Sequence, residues 1–241
     1  KYTLVKMMSR YGEATLPDVV ITDMRKEKAS GNMTPFGNKL ADLLDKSLKD
    51  DKQGIDIIIK PGTKKESVHI PVILTDSGIN DVVYNDFYIE EGADVEIIAG
   101  CGIHNDGCDS SQHDGISTFH IGKNARMTYS EKHYGEGSGT GGRILNPTTL
   151  IYMDEGSFAQ MDTSQIKGVD STMRDTKAYL GKDAKLVLNE KLMTHGNQVA
   201  KSDVVIELNG EDSTVQIISR SVGKDDSVQV FHPIAVGNTK S

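Results

Sequence analysis

The sequence predicts a mainly β protein folded as a parallel β-helix, a solenoid, with a short helical cap at its N-terminal end. Three observations carry this. Five segments superimpose on one template: FYIEEGADVEI from Phe87, FHIGKNARMTY from Phe119, IYMDEGSFAQM from Ile151, AYLGKDAKLVL from Ala178 and IELNGEDSTVQI from Ile206. Each carries a small residue after a polar turn, at Ala93, Ala125, Ser157, Ala184 and Ser213, so the steps are 32, 32, 27 and 29 residues. Second, apolar side chains recur two and four positions beyond the small residue: Val95, Met127, Ala159, Leu186 and Val215, then Ile97, Tyr129, Met161, Leu188 and Ile217. That is the period of a strand with one buried face. Third, the intervals hold strand-like pieces and Gly-rich corners but no long amphipathic helix, so the crossover to a parallel neighbour is itself made of strand.

Taken in chain order, residues 1–65 differ from the rest. Thr34-Pro35 reads as an N-cap followed by proline at the first helical position, and Phe36, Leu40, Leu43, Leu44 and Leu48 share one face of a helix ending near Lys49. Such a cap would cover the first rung, whose edge is otherwise a row of unpaired backbone groups. Residues 66–241 form the coils, with further strands at Leu145 to Tyr152 and Val199 to Leu208. An antiparallel sandwich is the alternative that strand number alone would allow.

Composition narrows the function. The chain has 241 residues and a net charge of -8, with a pI near 5.4. This balance repels polyphosphate, and no basic cluster interleaved with aromatics offsets it, so nucleic acid is not an expected partner. Acidic residues interrupt every apolar run, so no membrane span is expected. Two cysteines within eight residues of each other, without a secretory leader, indicate free thiols and a cytoplasmic setting. Lys1 and a Ser241 that ends in mid-pattern indicate a piece of a longer chain.

Three stretches, IGKNARMTYSEKHYGEG, AYLGKDAKLVLNEKLMTHG and above all VFHPIAVGNTKS with His232, Asn238, Thr239 and Ser241, resemble the SufB/SufD family of iron–sulfur cluster assembly scaffolds over roughly residues 66–241. The resemblance implies a right-handed parallel β-helix and a non-enzymatic scaffold of the SUF-type system that handles a transient iron–sulfur cluster. It also implies two partners: an ATPase subunit and a like β-helix subunit, in a homo- or heterodimer. The family places its cluster ligands and ATPase contact near the end of the β-helix and in a C-terminal helical domain, so no residue here can be matched to them.

The residues themselves raise a separate question in CGIHNDGCDSSQHDG, residues 101–115. Cys101, His133 and Gln165 each lie eight positions past the small residue of their coil and so share a slot on successive rungs, about 4.8 Å apart. His104 and Glu136 share another slot, eleven positions past. Cys101, His104, Cys108 and His133 are therefore the expected metal ligands, for a single zinc or iron ion or for a cluster. Against this, the run lacks paired CxxC knuckles and reads equally as a surface turn. His120 shares a slot with Tyr88, Tyr152 and Tyr179 and is expected in an outer stacked ladder. His113-Asp114 is a candidate imidazole–carboxylate pair, but no nucleophile is tied to it by motif. His195 is expected to serve a turn. Glu131 and Glu190, six positions past their small residues, suit either a solvated face or the carboxylate pair of a carbohydrate-active β-helix. Three readings fit the sequence: the iron–sulfur scaffold, that enzyme, and a structural solenoid with an adventitious zinc loop.

Overall fold

The structure, a computed structural model, describes residues 54–239 and three earlier strands. Along the chain the strands are β1 (Tyr2–Ser9), β2 (Val19–Ile21), β3 (Leu44–Leu48), β4 (Gly54–Ile59), β5 (Lys64–Leu74), β6 (Asn80–Ile89), β7 (Asp94–His104), β8 (Ser111–Ile121), β9 (Arg126–Glu136), β10 (Arg143–Leu145), β11 (Thr148–Met153), β12 (Phe158–Lys167), β13 (Ser171–Leu180), β14 (Lys185–Thr194), β15 (Val199–Leu208), β16 (Thr214–Gly223) and β17 (Val228–Gly237). They alternate between two sheets. One runs β16-β14-β12-β9-β7-β5-β1-β2 and the other β17-β15-β13-β10-β8-β6-β4-β3, with β11 between β8 and β13. From β4 onward every pairing is parallel, which makes a β-solenoid of about six turns, two strands to a turn. The parallel sandwich-like pair of sheets rules out the antiparallel alternative.

Register follows the repeat. Asp94 pairs with Arg126, Arg126 with Phe158, Phe158 with Lys185 and Lys185 with Thr214, which are steps of 32, 32, 27 and 29. One corner of each coil is the same turn: the amide of the small residue donates to the carbonyl three residues earlier, Ala93 to Glu90, Ala125 to Gly122, Ser157 to Asp154, Ala184 to Gly181 and Ser213 to Gly210. The residue just before adopts positive φ at Gly92, Asn124, Gly156, Asp183 and Asp212, conformations that Gly, Asn and Asp tolerate best. Ala93, Ala125, Ser157 and Ala184 are almost fully buried, so a larger side chain has no room there.

In-register stacking converts the period-two pattern into apolar columns. Val95, Met127, Ala159 and Leu186 form one in the first sheet; Phe87, Phe119, Ile151, Ala178 and Ile206 form one in the second. Phe87 and Phe119 stack with ring centroids 4.6 Å apart. On the outer face the expected ladder is present: Tyr88, His120, Tyr152 and Tyr179 stack at 4.7, 5.3 and 5.2 Å.

The N-terminal expectation fares differently. Leu44–Leu48, placed above in the last part of a helix, is a strand antiparallel to β4. The first parallel strand has an open edge, and a strand satisfies its amides and carbonyls along the whole length where a helix cannot. β1 does the same for β5 in the other sheet. The remainder of the expected helix, residues 34–43, lies outside the described residues.

Phe119→Ala removes a fully buried stacked ring and should cost about 3–5 kcal/mol, whereas Tyr152→Ala on the outer ladder should cost about 1 kcal/mol or less. Urea unfolding monitored by circular dichroism checks the ordering.

Candidate functional site

The inner face of the solenoid changes character along the first sheet. Beyond the apolar columns, the same parity brings Ala99, Glu131, Thr163 and Glu190 into one row, and Cys101, His133, Gln165 and Leu192 into the next. Across the lumen the second sheet contributes Asp81, His113, Leu145 and Thr172, with Arg174 two residues further on. The result is a chamber in which Cys101, His113, Tyr129, Glu131 and His133 face apolar residues such as Ile70, Val72, Phe87 and Leu145. It lies between the main apolar core and a second small cluster of Leu74, Ile103, Leu145 and Val169. Gly115 makes room in it, because a Cβ there would sit 3.3 Å from His113 Nε2.

Two hydrogen-bonded groups share the chamber. In the first, the Asp81 carboxylate holds His113 Nδ1 at 2.9 Å, both side chains buried. In the second, Tyr129 donates to Glu131 Oε1 at 3.0 Å, and Arg174 pairs with Glu131 Oε2 at 3.3 Å and with Glu190 Oε1 at 3.8 Å. Arg174 also lies 3.3 Å from His133 Nδ1. A guanidinium only donates, so when His133 is neutral its Nδ1 accepts and its proton sits on Nε2; against burial, the Glu131 carboxylate and Cys101 push the imidazole up to about 9. That Nε2 is 3.3 Å from Glu131 Oε1, yet buried without a well-formed hydrogen bond. Cys101 Sγ, a His133 ring nitrogen and a Glu131 oxygen all lie within 4.8 Å of one another.

The electrostatics follow from these neighbours. Burial pushes the Cys101 thiol up, but the positive charge and hydrogen bond of His113, helped by His133, outweigh it and bring the thiol down to about 7. Burial pulls His113 down, and the facing Cys101 charge and the Asp81 carboxylate overcome it and push the imidazole up to about 10. Burial likewise opposes ionisation of Glu131, yet His133, Arg174 and the Tyr129 hydroxyl hold it well below the usual carboxylate range. At neutral pH the chamber therefore holds an ionised carboxylate and a thiol close to ionisation.

The expected metal ligands separate into two places. Cys101 and His133 are register partners in the chamber. His104 is on the opposite, outer face of the same strand, with Nε2 2.7 Å from Asp106 and Nδ1 3.3 Å from Glu136. Cys108 is exposed on the corner loop. That loop is tightly bonded rather than a loose surface turn: Asn105 is fully buried and bonds Asp109 and Gly107, and Asp106 receives the Ser138 amide and hydroxyl. His113 is oriented by Asp81, not by its neighbour Asp114, which bonds Gln112. Glu131 is buried, not on a solvated face, and Glu131 and Glu190 converge on Arg174. Parity was the missed signal: positions six and eight past the small residue point inward, and position eleven points out.

A parallel solenoid with a thiol, imidazoles and paired carboxylates enclosed in its lumen defines a β-helix protein with an internal polar site. The sequence profile of the SUF system FeS cluster assembly, SufBD core domain, matches residues 80–236, and the chain belongs to this SufBD family. It is similar to a protein of Methanocaldococcus jannaschii named an iron-sulfur cluster assembly SufBD family protein, at 28% identity over 188 residues, covering 77% of this chain and 58% of that one. Proteins with the same family name from Archaeoglobus fulgidus and Methanothermobacter thermautotrophicus match at 29% and 26%, covering 61% and 70% of this chain and 38% and 40% of theirs. The chain thus spans less than two thirds of the length of these curated relatives. No solved structure is a significant match. Among the described residues, no helix is long and apolar enough to cross a membrane. Family membership ties the chain to iron–sulfur cluster assembly.

The thiol's environment is directly measurable. In a Cys108→Ser background, alkylation of Cys101 by a small neutral reagent should rise with an apparent pKa of about 7. Removing the imidazolium removes most of what favours the thiolate, so His113→Gln should move the inflection upward, with burial then opposed by His133 alone. Equal profiles in the two proteins would contradict the assignment.

Proposed function

We propose that this chain is a non-enzymatic scaffold of the SUF-type iron–sulfur cluster assembly system, acting in the cytoplasm. The observation that carries the reading is the match of the SufBD core domain across residues 80–236. The solenoid supports it as a stiff frame: each coil is bonded to the next along both sheets, and it holds side chains at fixed spacing. The cluster is cargo in this reading, and the ligand set accords with a shared site. The chain has two cysteines; one lies in the chamber and the other on an exposed corner. A cluster bound by thiolates calls for about four, so a cluster built here takes further ligands from a partner or from side chains other than cysteine. The partners proposed are an ATPase subunit and a like β-helix subunit, as a homo- or heterodimer.

A carbohydrate-active reading loses its footing, because Glu131 and Glu190 are engaged inside the solenoid by Arg174. Anaerobic reconstitution of the full-length protein with ferrous iron and sulfide, with and without a co-expressed SUF-type ATPase, is the deciding experiment. We expect iron and sulfide to be retained and visible absorption to develop, most strongly in the ATPase complex. A protein that takes up neither ion and associates with no ATPase would overturn the proposal.

A further inference from the structure

We propose that Cys101, Glu131 and His133 bind a single divalent transition-metal ion inside the solenoid, and that Arg174 is the cation the metal displaces from His133. The proposal goes beyond the assembly role and does not rest on it. Three donors of suitable chemistry, a thiol sulfur, a carboxylate oxygen and an imidazole nitrogen, already lie within 4.8 Å of one another. Zinc and ferrous iron take this mixed set at about 2.0–2.3 Å, which calls for donors about 3.5 Å apart. Glu131 Oε1 and His133 Nε2 are at 3.3 Å already, so mainly Cys101 has to close in. A second, independent observation is the state of His133: its ring is almost fully buried, yet Nε2 has no hydrogen-bond partner of good geometry. A buried donor so poorly paired is costly, and replacing its proton by a metal ion removes the deficit.

Charge accounts for Arg174. A divalent ion with the Cys101 thiolate, the Glu131 carboxylate and neutral His133 forms a neutral unit, so Glu131 no longer needs a guanidinium. Ligation through Nε2 leaves the ring proton on Nδ1, where it would face Arg174 at 3.3 Å, donor against donor. Arg174 must therefore withdraw from Nδ1, and Glu190, 3.8 Å from its Nε, is placed to take it. Asp81 and His113 form their own neutral pair on the other wall. A metal with three protein ligands keeps one position open.

Anaerobic titration of the full chain with Zn2+, and with Co2+ as a spectroscopic probe, tests the site. We expect one equivalent bound with sulfur-to-cobalt charge transfer, and at least ~10-fold weaker binding in Cys101→Ser and in His133→Asn, with circular dichroism unchanged in Cys101→Ser. His104→Ala and Cys108→Ser should bind as the parent does. In protein labelled with 15N-histidine, Nε2 of His133 should lose its proton on adding Zn2+ while Nδ1 carries one. Undiminished binding in Cys101→Ser, lost binding in Cys108→Ser, or a His133 Nε2 that keeps its proton would overturn the proposal. Because Cys101→Ser can fail to bind Zn2+ while the protein still retains iron and sulfide in the ATPase complex, failure of this site and failure of the scaffold reading are distinguishable.

Discussion

The constraint on which the structure depends is the in-register parallel pairing of successive coils. Once Asp94, Arg126, Phe158, Lys185 and Thr214 are neighbours, every later position in those strands belongs to a column, and its environment is set by parity and by its neighbours above and below. Apolar columns supply the core because a strand with one buried face cannot hide it alone. The same rule forces Glu131 and His133 into the interior, since they continue the parity of Met127 and Tyr129. Ionised groups there are tolerable only when each is answered. Arg174 and Tyr129 answer Glu131, and Asp81 answers His113.

Much of the solenoid is legible in the sequence. The steps between small residues are the register shifts observed, and the slot shared by Tyr88, His120, Tyr152 and Tyr179 is a real stack. Both are local patterns repeated at one distance, which is what a sequence displays well. The chamber was only half legible. Slot spacing alone brings Cys101 and His133 together, but without parity it also sets His104 beside them and Glu131 in solvent. The other wall was hidden for a different reason: Asp81, His113 and Arg174 belong to the second sheet, and how the two inner faces meet depends on the girth of each coil, which no single-strand pattern encodes. Leu44–Leu48 shows a further limit, because its helical spacing was outweighed by an open sheet edge that exists only after β4 has folded.

The chamber's position bears on its chemistry. It is bounded by apolar clusters on both sides, which lowers the local dielectric and strengthens each charge–charge interaction within it. A thiol beside two imidazoles is thereby poised near ionisation, while the exposed Cys108, on its corner, has none of these neighbours. Rigid walls also keep the donors from relaxing away from one another, and preorganisation of that kind suits a protein whose family builds a metal cluster.

Differences in coil length gather on one side of the molecule. The 32-residue coil starting at Arg126 and the 27-residue coil starting at Phe158 have the same small-residue turn. Their opposite corners differ: six residues from Gly137 to Gly142 follow β9, and three from Gly168 to Asp170 follow β12. Insertions can therefore enlarge that flank without displacing a single inward side chain. Paralogues that share this interior are free to diverge along one seam, so a surface for choosing partners can evolve independently of the chemistry enclosed behind it.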